Sequence, residues 1–106
     1  MKDRVNVGDI LYGKWYCTMT YPVWFRITKV NAKTAVAERL SSKMVQTTDG
    51  GYGQRGYEVP SDVAVVNDKP HIIRVAKDGR LATGSGYDFF RLNKWDGQPI
   101  YADYMD

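Results

Sequence analysis

The residue types that carry catalytic chemistry are few in this chain. Cys17 and His71 are its one cysteine and its one histidine, and together they could form a nucleophile and its general base. No activating motif surrounds Cys17, which alternates with Trp15 on an apolar face, so a buried structural thiol is the expected role. One histidine and one cysteine are also too few ligands for a zinc site.

A glycine motif is the nearest match to a known ligand-binding pattern. Gly51, Gly53 and Gly56 have the spacing GxGxxG, which binds dinucleotides only where a strand precedes it and a helix follows. Here residues 58–60 end in a proline, which breaks a helix. The carboxylates are scattered singly, so no pair is expected to share a proton. We therefore expect no enzyme activity, no cofactor and no bound metal.

The distribution of charge points to binding rather than catalysis. Residues 14–43 contain six basic side chains and one acidic side chain, whereas residues 95–106 contain three aspartates and no base. A basic run of this size is also typical of an ordinary solvated surface, because the formal net charge of the chain is only +3. The basic region is therefore a candidate surface for an anionic partner.

One strand in the basic region indicates how a ligand would be held. In residues 23–30 the alternation places Trp24 and Arg26 on the face away from the core. An exposed Trp24 beside Arg26 would stack on an aromatic anchor of a partner protein or on a base. In the nucleic-acid case Arg26, Lys29 and Lys33 would contact phosphates. The alternative is that Trp24 covers the second side of a small barrel.

A glycine-rich segment is a second candidate surface. Residues 49–57 contain four glycines and are expected to form a mobile loop, because glycine loses the most backbone freedom on ordering. Pro60 is expected to restart the chain after this loop. Tyr52, Arg55 and Tyr57 accompany the glycines, and tyrosine and arginine are enriched at protein interfaces. The loop is either idle or becomes ordered on contact with a partner.

The composition favours β-structure throughout. There are 11 Val, 8 Tyr, 7 Thr and 5 Ile against 4 Leu, and β-branched and aromatic residues fit a pleated, half-buried surface. Apolar residues recur with a period of two, and no window has the spacing of an amphipathic helix. The patterns predict strands over residues 10–17, 23–30, 34–40, 43–48, 71–76, 80–83 and 100–104.

These strands predict a small barrel. Residues 23–40 form the most clearly patterned hairpin and are expected at its centre, and Asp78-Gly79 is a strong signal for a second hairpin. Residues 87–95 fit either a strand or one helical turn, and Trp95 with the turn after it is expected to close the barrel. We predict one all-β, mostly antiparallel domain over residues 1–106, an SH3-like or OB-like barrel with room for one short helical turn near the C-terminus.

The chain is expected to be soluble and cytoplasmic. Its longest apolar run, residues 63–66, is too short to span a membrane. Residues 1–9 lack the apolar stretch of a secretory signal, and a lone cysteine cannot form an intramolecular disulfide. We therefore expect no membrane partner.

Both ends of the chain carry familiar motifs. Residues 7–12 (VGDILY) are followed by Trp15, then by residues 25–30 (FRITKV) and 33–34 (KT), and residues 95–101 (WDGQPIY) lie near the C-terminus. Together these segments resemble the opening and closing motifs of small uncharacterised proteins encoded by bacteriophages and plasmids.

The resemblance covers both ends and thins out through residues 41–86, and residues 16–21 depart from the pattern. It implies a mobile-element origin and transfers no catalytic residue. Our leading hypothesis is a non-enzymatic phage-type accessory protein that binds a host protein in the bacterial cytoplasm, as an inhibitor of a host defence protein. In this hypothesis the contacts come from Tyr52, Arg55, Tyr57, Trp24 and Arg26. The alternative is a nucleic-acid-binding barrel that uses Trp24, Arg26, Lys29 and Lys33.

Overall fold

The computed structural model of the chain describes residues 5–15, 20–47, 55–66, 68–75, 80–83 and 90–104. Within these residues there are eight β-strands and no helix. The strands are β1 (Ile10–Trp15), β2 (Tyr21–Val30), β3 (Thr34–Thr47), β4 (Arg55–Ala64), β5 (His71–Val75), β6 (Leu81–Thr83), β7 (Phe90–Lys94) and β8 (Ile100–Asp103). Each pairing between them is antiparallel.

The hairpin of β2 and β3 lies at the centre of the fold, as predicted. Trp24 pairs with Leu40 near the open end of this hairpin. At its tip the amide of Asn31 donates to the carbonyl of Thr34 at 2.8 Å. The two strands are longer than predicted, because β2 begins at Tyr21 and β3 continues to Thr47.

Six strands close into a barrel. Hydrogen-bonded neighbours follow the order β2-β1-β7-β6-β5-β3, and β3 pairs back with β2. Because the barrel is closed, each of these six strands is paired on both sides and has no free edge. The prediction of a small antiparallel barrel is confirmed. The segment that fitted either a strand or a helical turn is a strand from Phe90 to Lys94.

Apolar side chains on one face of each barrel strand fill the interior. In β2 the inward residues are Val23, Phe25 and Ile27, as their alternation predicted. The rest of the buried cluster consists of Val5, Leu11, Ala35, Ala37, Ile73, Leu81 and Leu92. Burying a Val, Leu, Ile or Phe side chain stabilises a fold by about 1.5–3 kcal/mol, so this cluster is the main stabilising element of the barrel.

The second half of β3 extends beyond the barrel and begins a second circuit of strands. β3 pairs with β4, and β4 pairs with β8. Thr20, directly before β2, exchanges two backbone hydrogen bonds with Asp103 of β8, at 3.0 and 2.6 Å. We call the ring of β2, β3, β4 and β8 the second circuit. It shares β2 and β3 with the barrel.

Three predictions for the second circuit are wrong. Residues 43–48 do not start a new strand, because β3 runs unbroken from Thr34 to Thr47. Arg55 and Tyr57, predicted to lie in a mobile loop, are in β4. Pro60 does not restart the chain but lies within β4, next to a register shift in the ladder with β3. Proline is tolerated in strands at such irregularities.

Several residues named in the sequence analysis lie outside the described residues. They are Cys17, Gly51, Tyr52, Gly53 and Asp78-Gly79. The strands that flank Asp78-Gly79 do pair antiparallel, with Ile73 opposite Thr83. Over the described ranges, no helix has the length and apolar character needed to cross a membrane.

Candidate functional site

A buried carboxylate lies in the second circuit. Glu58 on β4 is 3% exposed. The hydroxyl of Tyr104, directly after β8, donates to Glu58 Oε2 at 2.5 Å. The other oxygen, Oε1, is buried and has no hydrogen-bond partner in the part of the chain that the structure describes. Burying a carboxylate is costly unless it is hydrogen-bonded, so Glu58 depends strongly on Tyr104.

Tyr104 is held in its protonated form. Burial raises the pKa of Tyr104 well above its ordinary value, and the hydrogen bond to Glu58 raises it further, because ionisation would place a second negative charge beside the carboxylate. The charge of Arg39 acts in the opposite direction. The ring of Tyr21 stacks on Tyr104 with 5.2 Å between centroids.

We call these four residues the Glu58 cluster, which consists of Glu58, Tyr104, Tyr21 and Arg39. Tyr21 begins β2 and Tyr104 follows β8, so the cluster joins the two segments whose backbones meet at Thr20 and Asp103. A tyrosine with a raised pKa is a hydrogen-bond donor at neutral pH, not a base. The arrangement is suited to fixing the end of β8 in place.

Trp24 is buried, so its predicted role in stacking is wrong. Its indole is 1% exposed, and Nε1 donates to Ser42 Oγ at 2.9 Å. The rings of Tyr12 and Trp95 pack against it, with centroids 5.8 and 5.5 Å away. Trp24 does face away from Phe25, as predicted. It covers the second side of the fold, and neither a base nor a partner residue can reach it.

Trp95 does not close the barrel from within. It is half-buried, packs edge-on against Trp24 and lies outside the barrel cluster. Its Nε1 donates to the carbonyl of Gln98 at 2.6 Å, which holds the turn that follows. Its amide donates to the carbonyl of Ile10 at 2.9 Å and so extends the β1–β7 pairing.

The predicted basic residues of the β2–β3 hairpin differ in their surroundings. Arg26 is paired with Glu38, whose Oε2 lies 2.8 Å from Nε and 2.6 Å from a terminal guanidinium nitrogen of Arg26. Lys29 and Lys33 are exposed near the tip of the hairpin. Of the predicted nucleic-acid contacts, the two lysines alone are on an open surface.

An aromatic pair lies on the outer side of the second circuit. Tyr57 and Tyr101 are directly opposite each other on β4 and β8, with 5.7 Å between ring centroids and an interplanar angle of 70°. Their neighbours Gly56 and Ala102 are buried, so alternation directs the two tyrosines outward. Tyr101 is 39% exposed, and Arg55 is on the same side of β4. We call Arg55, Tyr57 and Tyr101 the tyrosine face.

His71 is held by a carboxylate and by packing against an aromatic ring. His71 Nε2 lies 2.6 Å from Asp68 Oδ2, and its ring packs edge-on against Phe25 at 5.0 Å. These contacts anchor the start of β5. Among the described residues, no group of three or more His, Cys, Asp or Glu side chains could hold a metal ion.

Sequence reasoning missed Glu58, Tyr104 and Tyr101. Glu58 and Tyr104 are 46 positions apart, and a single acid and a single tyrosine at that separation form no local pattern. The sequence did contain a signal for Tyr101. Residues 100 and 102 are apolar and share one face of β8, so the tyrosine between them lies on the other face.

Comparison with protein-family models, curated proteins and solved structures finds no match to this chain. Its function is therefore inferred from its own residues and geometry.

Proposed function

We propose that this chain is a non-enzymatic accessory protein of a mobile genetic element, and that it binds a host protein through the tyrosine face. The pair of Tyr57 and Tyr101 carries the proposal. Tyrosine side chains supply large, rigid contact areas that lose little conformational freedom on binding. Inhibition of a host defence protein in the bacterial cytoplasm is the activity that fits the resemblance of both chain ends to phage and plasmid proteins.

The geometry of the tyrosine face supports a pre-organised contact. The two rings are held edge to face by paired strands, so little ordering remains to be done when a partner binds. Arg55 adds a planar guanidinium with fixed donors. A standard interface covers about 800 Å² per partner, a modest share of the 6985 Å² accessible surface of this chain.

The test is affinity capture from host lysate with a matched pair of variants. Tyr57→Thr/Tyr101→Thr removes the aromatic surface but keeps residues that favour strands, and we expect it to lose the partner that the wild type recovers. The control, Val63→Thr/Ile72→Thr, removes two apolar side chains that are exposed elsewhere and should retain the partner. Melting curves confirm that both variants fold.

Two results would contradict the proposal. One is repeated capture with the wild type that recovers no partner. The other is a folded Tyr57→Thr/Tyr101→Thr variant that binds the same partner as tightly as the wild type does.

Nucleic-acid binding at the tip of the β2–β3 hairpin is the weaker alternative. Trp24 is buried and Arg26 is paired with Glu38, so Lys29 and Lys33 would act without a stacking residue. Two lysines alone give weak binding that is lost as salt rises.

A further inference from the structure

Two arginines lie in one row across the outer wall of the barrel. The ladders place Arg74 of β5 opposite Thr34 of β3 and Ala82 of β6, and they place Ala82 opposite Arg91 of β7. The alternate residues on these strands fill the barrel interior, among them Ile73 and Leu92. The row therefore faces outward, and both arginines are exposed.

Two further cations lie at one end of this row. Arg80 is exposed directly before β6. The carbonyl of Lys33 accepts a hydrogen bond from the amide of Val75 at 3.2 Å, and Val75 is opposite Leu81, so Lys33 and Arg80 are at the same end of the strands. We call Lys33, Arg74, Arg80 and Arg91 the basic wall.

Basic residues outnumber acidic residues in the sequence around the basic wall. Strands β5, β6 and β7 contain no aspartate or glutamate. In the sequence, residues 69–94 contain six basic and two acidic side chains. Strands β4 and β8 have the opposite balance, with Glu58, Asp62 and Asp103 against Arg55. Strands β5, β6 and β7 thus carry a net positive charge and β4 and β8 a net negative charge, and a surface with a positive excess attracts polyanions.

The spacing of the row suits a phosphate backbone. Neighbouring strands lie about 4.8 Å apart, so the Cα atoms of Arg74 and Arg91 are about 10 Å apart across β6. Ala82, between them in the row, has only a methyl side chain. A guanidinium group is able in general to donate two parallel hydrogen bonds to one phosphate.

We propose that the basic wall binds the sugar–phosphate backbone of a nucleic acid without reading its sequence. Charge complementarity identifies the occupant: a row of arginines with no acid on its three strands favours a polyanion with regularly spaced charges. This activity goes beyond the host-protein contact at the tyrosine face and uses a different surface. It also differs from the predicted hairpin site, because it requires neither Trp24 nor Arg26.

The experiment is a fluorescence-anisotropy titration of the full chain with labelled single-stranded and duplex DNA of mixed sequence. The wild type should bind at low salt, and the logarithm of its affinity should fall linearly with the logarithm of salt concentration. Arg74→Gln/Arg91→Gln should reduce that slope by about 1.4–1.8, since each lost phosphate contact removes about 0.7–0.9. Arg74→Lys/Arg91→Lys should keep most of the slope.

A charge-matched control separates the basic wall from general electrostatics. Lys14→Gln/Lys43→Gln removes the same charge from two exposed lysines outside the wall, and its slope should stay near that of the wild type. If the arginine double variant does not fold, Arg91→Gln alone should reduce the slope by about 0.7–0.9. The Tyr57→Thr/Tyr101→Thr variant should bind DNA as the wild type does. It therefore distinguishes failure of the nucleic-acid proposal from failure of the host-protein proposal.

Three results would overturn the proposal. One is no measurable binding at low salt, and another is an equal loss of slope in the lysine control. The third is competition by poly-glutamate that is as effective as DNA and depends equally on Arg74 and Arg91, because the occupant would then be an acidic protein.

Discussion

The barrel and the second circuit share two strands but are stabilised by different interactions. The barrel interior is an apolar cluster that includes Phe25. In the second circuit, buried side chains depend on hydrogen bonds, from Trp24 to Ser42 and from Tyr104 to Glu58. Apolar burial is non-directional, whereas a buried polar group becomes costly as soon as its partner is lost. We expect the second circuit to open before the barrel does.

The two regions also differ in surface charge. The basic wall is on the barrel, and the tyrosine face is on β4 and β8, which carry more acidic residues. In our two proposals these surfaces bind different partners, a host protein and a nucleic acid. Substitutions that affect one region and leave the other intact test this division.

The largest expected effect compares two neighbours on β2. Phe25→Ala removes a ring from the barrel interior, whereas Trp24→Ala removes a ring from the second side of the fold. Both wild-type side chains are 1% exposed. Each should reduce the free energy of unfolding by about 3–5 kcal/mol, measured by urea denaturation. Trp95→Ala should cost less, because that indole is half-buried. A Trp24→Ala variant as stable as the wild type would show that packing around Trp24 contributes little to stability.

Gly56→Ala should disrupt the pairing of β3 with β4 in the second circuit. A Cβ at this position would overlap the carbonyl oxygen of Gln46 and lie 2.9 Å from the Cα of Thr47. Backbone cannot move aside cheaply, so we expect a loss of about 1–3 kcal/mol. Hydrogen exchange localises the effect: the Asp103 amide, bonded to Thr20, should lose protection before the Ile73 amide in the barrel. Equal loss at both amides would mean that the regions unfold as one unit.

Gly56 also illustrates which parts of the fold could be predicted from the sequence. The alternation around Phe25 has a period of two and is local, so it correctly predicted the central hairpin and the inward face of β2. Glycine-rich composition predicted a loop at Gly56, but the glycine is required there by the close approach of β3. The candidate site was less predictable, because burial of Trp24 and pairing of Glu58 with Tyr104 depend on strands that are distant in sequence.

The third effect concerns the buried carboxylate. Tyr104→Phe removes the hydroxyl that donates to Glu58 and should destabilise the protein by about 1–3 kcal/mol, because a buried carboxyl oxygen loses its donor. The raised pKa of Tyr104 adds a signature in alkaline solution. The folded state holds the phenolic proton more tightly than the unfolded state, so this stabilisation is complete below the ordinary tyrosine pKa of about 10 and declines as pH rises above it.

Thermal melts across the alkaline range separate this role from general alkaline destabilisation. The slope for one proton cannot exceed about 1.4 kcal/mol per pH unit, and solvent screening at the half-buried Tyr104 makes it smaller. Tyr104→Phe should flatten the decline, whereas Tyr101→Phe on the exposed face should keep it. If Tyr104→Phe and the wild type lose the same amount of stability as pH rises, then ionisation of the Tyr104 hydroxyl does not cause that loss.

The smallest expected effect is at the ion pair of the shared hairpin. Arg26 and Glu38 are opposite each other on β2 and β3, and each side chain is 33% exposed. Solvent screens such a pair, so a double-mutant cycle with Arg26→Gln and Glu38→Gln should give a coupling of about 0.2–1 kcal/mol that shrinks as salt is added. Glu58 differs because its carboxylate is buried and water cannot replace a lost donor. A salt-independent coupling of about 2 kcal/mol or more at Arg26 and Glu38 would mean that this exposed pair is coupled as strongly as a buried pair such as Glu58 and Tyr104. Burial would then no longer explain why hydrogen bonds matter more in the second circuit than on the hairpin it shares with the barrel.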